Sequence, residues 1–289
     1  MDVVLSQLMT GLSLASILLL VALGLAIIYG ATGVINLAHG EFVMLGAYSA
    51  WALQTFLGLG LIESLVAIFA IVAAFGWVIE RIVIRHLYHR PLDTILATWG
   101  IGIIAQQAIR LTVGGELRYV EMPKALSSSV SVLGVETSAF RIFILFVAAA
   151  LFILTWYLMF RTSLGIKLRA VMQNREVASC FGINSDRVYS MTFAYGAGLA
   201  GLAGALVSPL KSVSPEMGTT YVVDAFMVVV LGGVESLIGT VASSVIIGEM
   251  TGFLAFFSND TIAKAVVLLA VVVLIRFRPQ GLFATKLRS

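Results

Sequence analysis

The chain has 289 residues, of which 60% are hydrophobic and 11% charged, with a mean hydropathy of +1.04. Soluble domains carry about 25% charged residues, so the composition excludes an ordinary soluble globular protein and points to a membrane protein. The formal charge of +3 does not by itself imply a nucleic acid or another polyanionic partner; the positions of the cations decide what it means.

Apolar runs recur near 5–30, 35–56, 60–80, 94–114, 140–160, 190–210, 220–233, 236–257 and 262–275. Most approach the roughly 20 residues that span a bilayer. They predict an all-α polytopic membrane protein with about eight or nine transmembrane helices, folded as one domain over 1–289. The opening "MDVVLSQL" has no basic n-region and no small-residue cleavage site, so the first run reads as a retained helix and not a removed signal peptide. The single Cys180 excludes an internal disulfide.

The second run opens with "GVINLAHGEFVMLGAY" (33–48). Asn36, His39 and Glu41 stand there among Gly33, Gly40 and Gly46, each glycine weakening a helix by roughly 1 kcal/mol against alanine. An ionisable residue inside a span costs roughly 2.5–3.5 kcal/mol even on insertion scales. Helix packing alone explains the glycines but does not require Glu41. A broken helix lining a watery path explains both.

Arg81, Arg85 and Arg90 follow the third run. Together with Arg161, Lys167, Arg169, Arg175, Arg187, Arg276, Arg278, Lys286 and Arg288 they place twelve of the 18 basic residues in alternate loops and the tail. The positive-inside rule then sets the N-terminus outside and the C-terminus in the cytoplasm. "HLYH" (86–89) offers two histidines but no third ligand, and reads as an inner-surface loop with no metal site.

The fourth run carries Thr98, Trp99, Gln106 and Gln107. With Asn36, His39 and Glu41 these are candidate hydrogen-bonding groups of a path, and Trp99 or Phe42 would give it a flat face. Each has a plainer alternative, since Thr98 can bond its own helix and the glutamines can bridge helices. Residues 115–139 contain "SSS" and two cations only, which suits an outer loop.

The segment 161–189 is polar and basic, and reads as helix up to Gly182. "FGINSDR" then supplies a breaker and, in Asn184, Ser185 or Asp186, a cap for the next span. That span contains "YGAGLAGLAGAL" (195–206), whose small residues at 197/201 and 200/204 suit close packing within this chain or against another permease.

Near the end, "GGVESLIG" (232–239) repeats the two-glycine frame of "GVINLAHG" (33–40), with Glu235 in place of Glu41 as its neighbouring carboxylate. Both copies lead through two apolar runs to an arginine, Arg81 or Arg276. This is a weak internal repeat of two glycine-broken segments running the same way across the membrane, and the second break is expected across the path from the first. No H-E-x-x-H, G-x-S-x-G or P-loop occurs, so neither membrane catalysis nor ATP binding by this chain is expected.

Longer strings carry a resemblance. "EVASCFGIN" (176–184) resembles the EAA loop of ABC importer permeases, with Glu176, Ala178 and Gly182 matching and Val177 replacing an alanine. "GATGVINLAHGEFVMLGAY" and "LRAVMQNREVASCFGIN" resemble the first permease subunit of branched-chain amino acid and urea importers. The resemblance implies that 161–189 couples to an ATPase through Arg169, Asn174, Glu176, Ala178 and Gly182. It implies a second permease subunit, two ATPase subunits that use ATP and Mg, a periplasmic or extracellular binding protein, no cofactor on this chain, and a bacterial inner membrane. "LATWG" and "DAFMVVVLGG" look closer to the urea type, with branched-chain amino acids the alternative. Glu235 stands where glycine is expected in both groups. A passive urea channel is the rival of another class, but a channel has no use for a loop that docks a motor.

Overall fold

The computed structural model describes residues 2–283 except His89, Leu133 and Glu235. Its helices are α1 (Asp2–Thr32), α2 (His39–Leu57), α3 (Leu61–Ile82), α4 (Pro91–Thr112) and α5 (Ala139–Arg161), then the short α6 (Ser163–Gln173) and α7 (Arg175–Cys180). They continue as α8 (Ser185–Val207), α9 (Met217–Gly232), α10 (Leu237–Phe257) and α11 (Asp260–Phe277). A small antiparallel hairpin, β1 (Ser129–Val132) and β2 (Val135–Ser138), decorates the 113–138 connection and was not foreseen.

All nine apolar runs form helices. Six of them, α1, α3, α4, α5, α8 and α10, are long and apolar enough to cross a membrane. Of the other three, α9 has 16 residues, and α11 carries Asp260, Lys264 and Arg276 among its 18.

Small residues decide what lies at the centre. In α8, Ala197, Ala200, Gly201 and Gly204 are buried. Gly201 faces Val72 of α3 and the backbone around Gly46 of α2, while Gly204 abuts the Val43 carbonyl. Gly196 meets Gly24 of α1. The small-residue stripe therefore serves packing within the chain. It lets backbones approach where apolar surface has no water to escape from.

Neighbouring contacts fix the helix directions. Val72, Gly76 and Glu80 lie beside Gly201, Ala197 and Ser190, so α3 runs opposite to α8. Gly11 faces Gly252, Ala15 faces Gly248 and Gly30 faces Val234, so α1 runs opposite to α10. The start of α1 thus lies at one end of the bundle. The tail lies at the other, where the Leu282 amide donates to the Leu231 carbonyl at 2.8 Å.

Candidate functional site

The chain leaves α1 through Gly33, whose φ of +67° is cheap only for glycine. Residues 33–38 are not helical and return into the bundle. His39 ends this return with Nε2 3.0 Å from the Val21 carbonyl, so Nε2 is the donor. Val21 lies about 16 Å back along α1 from Thr32 at 1.5 Å per residue, a span that six extended residues can cover. Asn36 Oδ1 accepts from the Ala38 amide at 3.1 Å and turns the chain into α2. Gly40 is required there, because a methyl group in its place would overlap the Gly218 carbonyl oxygen of α9.

One face of α4 closes this re-entrant segment. Thr98 Oγ1 accepts from the Leu37 amide at 3.1 Å, which satisfies a non-helical backbone N–H inside the bundle. Gly102 makes room for Glu41, and Gln106 Nε2 donates to Glu41 Oε1 at 2.8 Å. Asn36, His39 and Thr98 are 0% exposed and Glu41 is 4% exposed. Asn36 Nδ2, His39 Nδ1 and Glu41 Oε2 have no partner among the described residues. A buried polar group left so costs about 1–3 kcal/mol. Three in one cluster suit a site that exchanges hydrogen bonds with a polar solute. No group of three metal-ligating side chains occurs among the described residues.

Asn36, His39, Glu41, Thr98 and Gln106 thus come together. Phe42 touches His39 edge-on at 5.8 Å, but its other aromatic neighbours are Phe75 and Phe193, so it is core packing and not an open face. Trp99 lies about 100° round α4 from Thr98 and is 59% exposed, away from the cluster. Gln107 is exposed too. Glu235 lies outside the described residues. The second break is not across from the first. It sits at the end of α1, where the Val234 carbonyl faces Gly30 and the tail residue Gly281 packs on Gly233.

Two groups near the cluster escaped the sequence reading. The Tyr48 hydroxyl and Arg118 Nε are buried without partners among the described residues. Tyr48 was legible in principle, since i to i+7 from Glu41 puts both on one face of α2.

The bundle end that holds the tail also holds α6 and α7. The expected single helix up to Gly182 is broken at Asn174, which is extended (φ −159°) and caps α7 by accepting from the Val177 amide at 3.0 Å. Gly182, at φ +78°, ends α7, with the Ile183 amide donating to the Ala178 carbonyl at 3.1 Å and the Gly182 amide to Ser179 at 3.0 Å. This pairing is the left-handed glycine stop of a helix. Ala178 is buried against the base of the loop, while Glu176, Val177 and Phe181 are exposed. Arg169 bonds the Met159 carbonyl and lies over Phe160 at 5.4 Å, fixing α6 to the end of α5. Asn184 caps α8. Asp186 pairs with both Arg85 and Arg175, tying α7 to the end of α3. Burial and the adjacent Glu80 carboxylate push the Tyr88 phenol well above its ordinary range, so it stays protonated and donates to Glu80 at 2.5 Å.

A family model described as "Branched-chain amino acid transport system / permease component" matches residues 7–276. The chain is 30% identical to the high-affinity branched-chain amino acid transport system permease protein BraD of Pseudomonas aeruginosa, over 96% of this chain and 95% of that one. It is also 30% identical to LivH of Escherichia coli, described in the same words, over 93% of each. The ribose import permease protein RbsC of Escherichia coli shares 32% identity over 48% of this chain and 45% of its own. No solved structure matches.

Proposed function

Since the chain belongs to the branched-chain amino acid permease family, we propose that it forms, with a second permease, the path by which an ABC importer moves aliphatic α-amino acids inward. The observation that carries this reading is the full-length similarity to two branched-chain amino acid permeases. Urea, suggested by "LATWG" and "DAFMVVVLGG", has no support among these relatives. The site itself suits a zwitterion: a buried carboxylate, Glu41, stands ready for an ammonium group, and unpartnered donors lie nearby.

The end of the bundle with α6, α7 and the tail gathers Arg85, Arg161, Lys167, Arg169, Arg175 and Arg278, which makes it cytoplasmic by the positive-inside rule. Energy enters there, through an ATPase pair docking on the exposed face of α7. Its stiff cap and stop at Asn174 and Gly182 favour this role, as does its tie to α3 and α8 through Asp186. A soluble binding protein delivers substrate at the opposite end.

The test is uptake of labelled leucine and labelled urea by cells carrying the complete importer. Leucine uptake without urea uptake is expected. Urea uptake without leucine would reverse the substrate, and uptake of either solute without ATP hydrolysis would favour a channel. For orientation, a cysteine at Ser128 reacts with an impermeant thiol reagent from outside while the exposed Cys180 does not. The opposite labelling would invert the topology.

A further inference from the structure

Beyond the Glu41 cluster, the outer-facing part of α2 carries a second set of unsatisfied groups, and these are donors. Tyr48 is 4% exposed, yet among the described residues its hydroxyl has no partner and the buried Arg118 Nε has no acceptor. Arg118 takes part in no ion pair among the described residues, whereas Arg110, in the last turn of α4, is held by Glu216. A guanidinium has only donors to offer.

Its position is fixed from three sides. Its Nη2 donates to the Val113 carbonyl at 2.8 Å, and its backbone pairs in both directions with Val213. Its guanidinium carbon lies 5.1 Å from the Trp51 ring centre, one turn of α2 beyond Tyr48. Tyr48 and Glu41 share a face of α2, and long helical side chains lean toward the helix N-terminus. The Tyr48 hydroxyl therefore leans toward Glu41. The outer groups are donors only, whereas the inner cluster holds the one carboxylate, Glu41 Oε2, beside an acceptor, His39 Nδ1, and a single amide donor, Asn36 Nδ2. A guanidinium at one end and a carboxylate at the other suit the two charged groups of a zwitterion better than a neutral solute, which has no charge to offer either.

We infer that Tyr48 and Arg118 form a carboxylate-binding station for the transported α-amino acid, which there points its ammonium group along α2 toward Glu41. This assignment rests on the amino-acid reading above. A carboxylate accepting from a phenol O–H and a guanidinium N–H makes two charge-assisted bonds, the stronger class in a dry site. Both donors would otherwise remain buried and unused.

The test uses the complete importer in proteoliposomes, with labelled leucine uptake and ATP hydrolysis measured together. Tyr48→Phe keeps the ring and its packing and removes only the hydroxyl. It lowers leucine carried per ATP hydrolysed by about tenfold, the factor that corresponds to about 1.4 kcal/mol, while hydrolysis stays near the wild-type rate. Arg118→Gln lowers it as well. Because both groups hold one carboxylate, the double variant falls little below the worse single one, a non-additivity that a merely structural role would not give. Unchanged leucine transport in Tyr48→Phe, or full additivity of the pair, overturns the station while leaving the amino-acid reading intact. A wild-type importer that carries no leucine overturns both.

Discussion

The stretches 33–41 and 232–239 begin from the same glycine frame and reach different ends. Both open with a left-handed glycine, Gly33 at φ +67° and Gly233 at φ +94°. At the second, the polar groups of the described residues are consumed at once. Ser236 Oγ accepts from the Gly239 amide at 3.0 Å, and Ser243 Oγ donates to the Val228 carbonyl at 2.7 Å. The tail covers the turn, and Gly232 and Gly239 let α9 and α10 touch backbone to backbone. At the first, the chain dives back into the bundle and leaves polar atoms of Asn36, His39 and Glu41 over. A glycine break with its polar groups satisfied is a joint between helices. One with groups to spare, at the depth of Val21, has hydrogen bonds to offer a solute.

The expected repeat thus exists as topology, since α1–α2–α3 and α9–α10–α11 each run through a break, a returning helix and a helix ending at an arginine. It does not extend to chemistry. Three features of the first break were legible in the sequence: an ionisable residue in a span, glycines beside it, and polar residues on the fourth run. What escaped was depth and facing. Thr98 and Trp99 are neighbours in the chain and opposite in fate, because the register of α4 on the re-entrant segment is set by tertiary contacts such as Leu37 to Thr98. Arg118 escaped because it sits in a loop whose position depends on a backbone bridge to Val213, far along the chain. In the 161–189 segment the glycine stop was readable, but the break at Asn174 was not, because asparagine caps as readily as it sits within a polar helix.

The comparison can be broken most forcefully at the close contacts. Gly40→Ala and Gly239→Ala would each press a methyl group into a backbone carbonyl, of Gly218 and Gly232 respectively. Neither backbone can swing aside like a side chain. Overpacking of this kind costs about 1–3 kcal/mol, occasionally more. Both variants are expected to lower the melting temperature of the purified permease, by about 2–4 °C per kcal/mol for chains of 150–250 residues. If Gly40→Ala melts like the wild type, the tight seat of α2 on α9 is wrong.

A smaller effect separates the two breaks by function. Glu41→Gln keeps size and one hydrogen bond but removes the charge. Bonds to charged groups are worth about 1.5–3 kcal/mol against about 1 for neutral ones, so leucine transport falls by about tenfold with expression and melting near wild type. Asn36→Leu does similar damage by removing a polar partner. Glu249→Gln, on a carboxylate that faces Gly11 of α1 away from the cluster, leaves transport close to wild type. Normal uptake in both Glu41→Gln and Asn36→Leu would reduce the first break to a joint like the second.

The smallest expected change is at that second joint. Ser236 caps α10 by accepting from the Gly239 amide, and its loss exposes one of the orphan donors at the helix start. Replacing a serine cap by alanine typically costs about 1 kcal/mol, so Ser236→Ala lowers the melting temperature by a few degrees. Transport per folded molecule stays unchanged, because among the described residues none of the unpartnered buried groups lies at this turn. The pairing of outcomes is what matters: a stability loss without a transport loss at Ser236, a transport loss without a stability loss at Glu41. A transport defect in Ser236→Ala larger than its stability loss explains would make the 232–239 turn part of the moving machinery. The difference between the two breaks would then be one of step in the cycle, with the first holding the solute and the second, seated against the tail, relaying the motion that releases it.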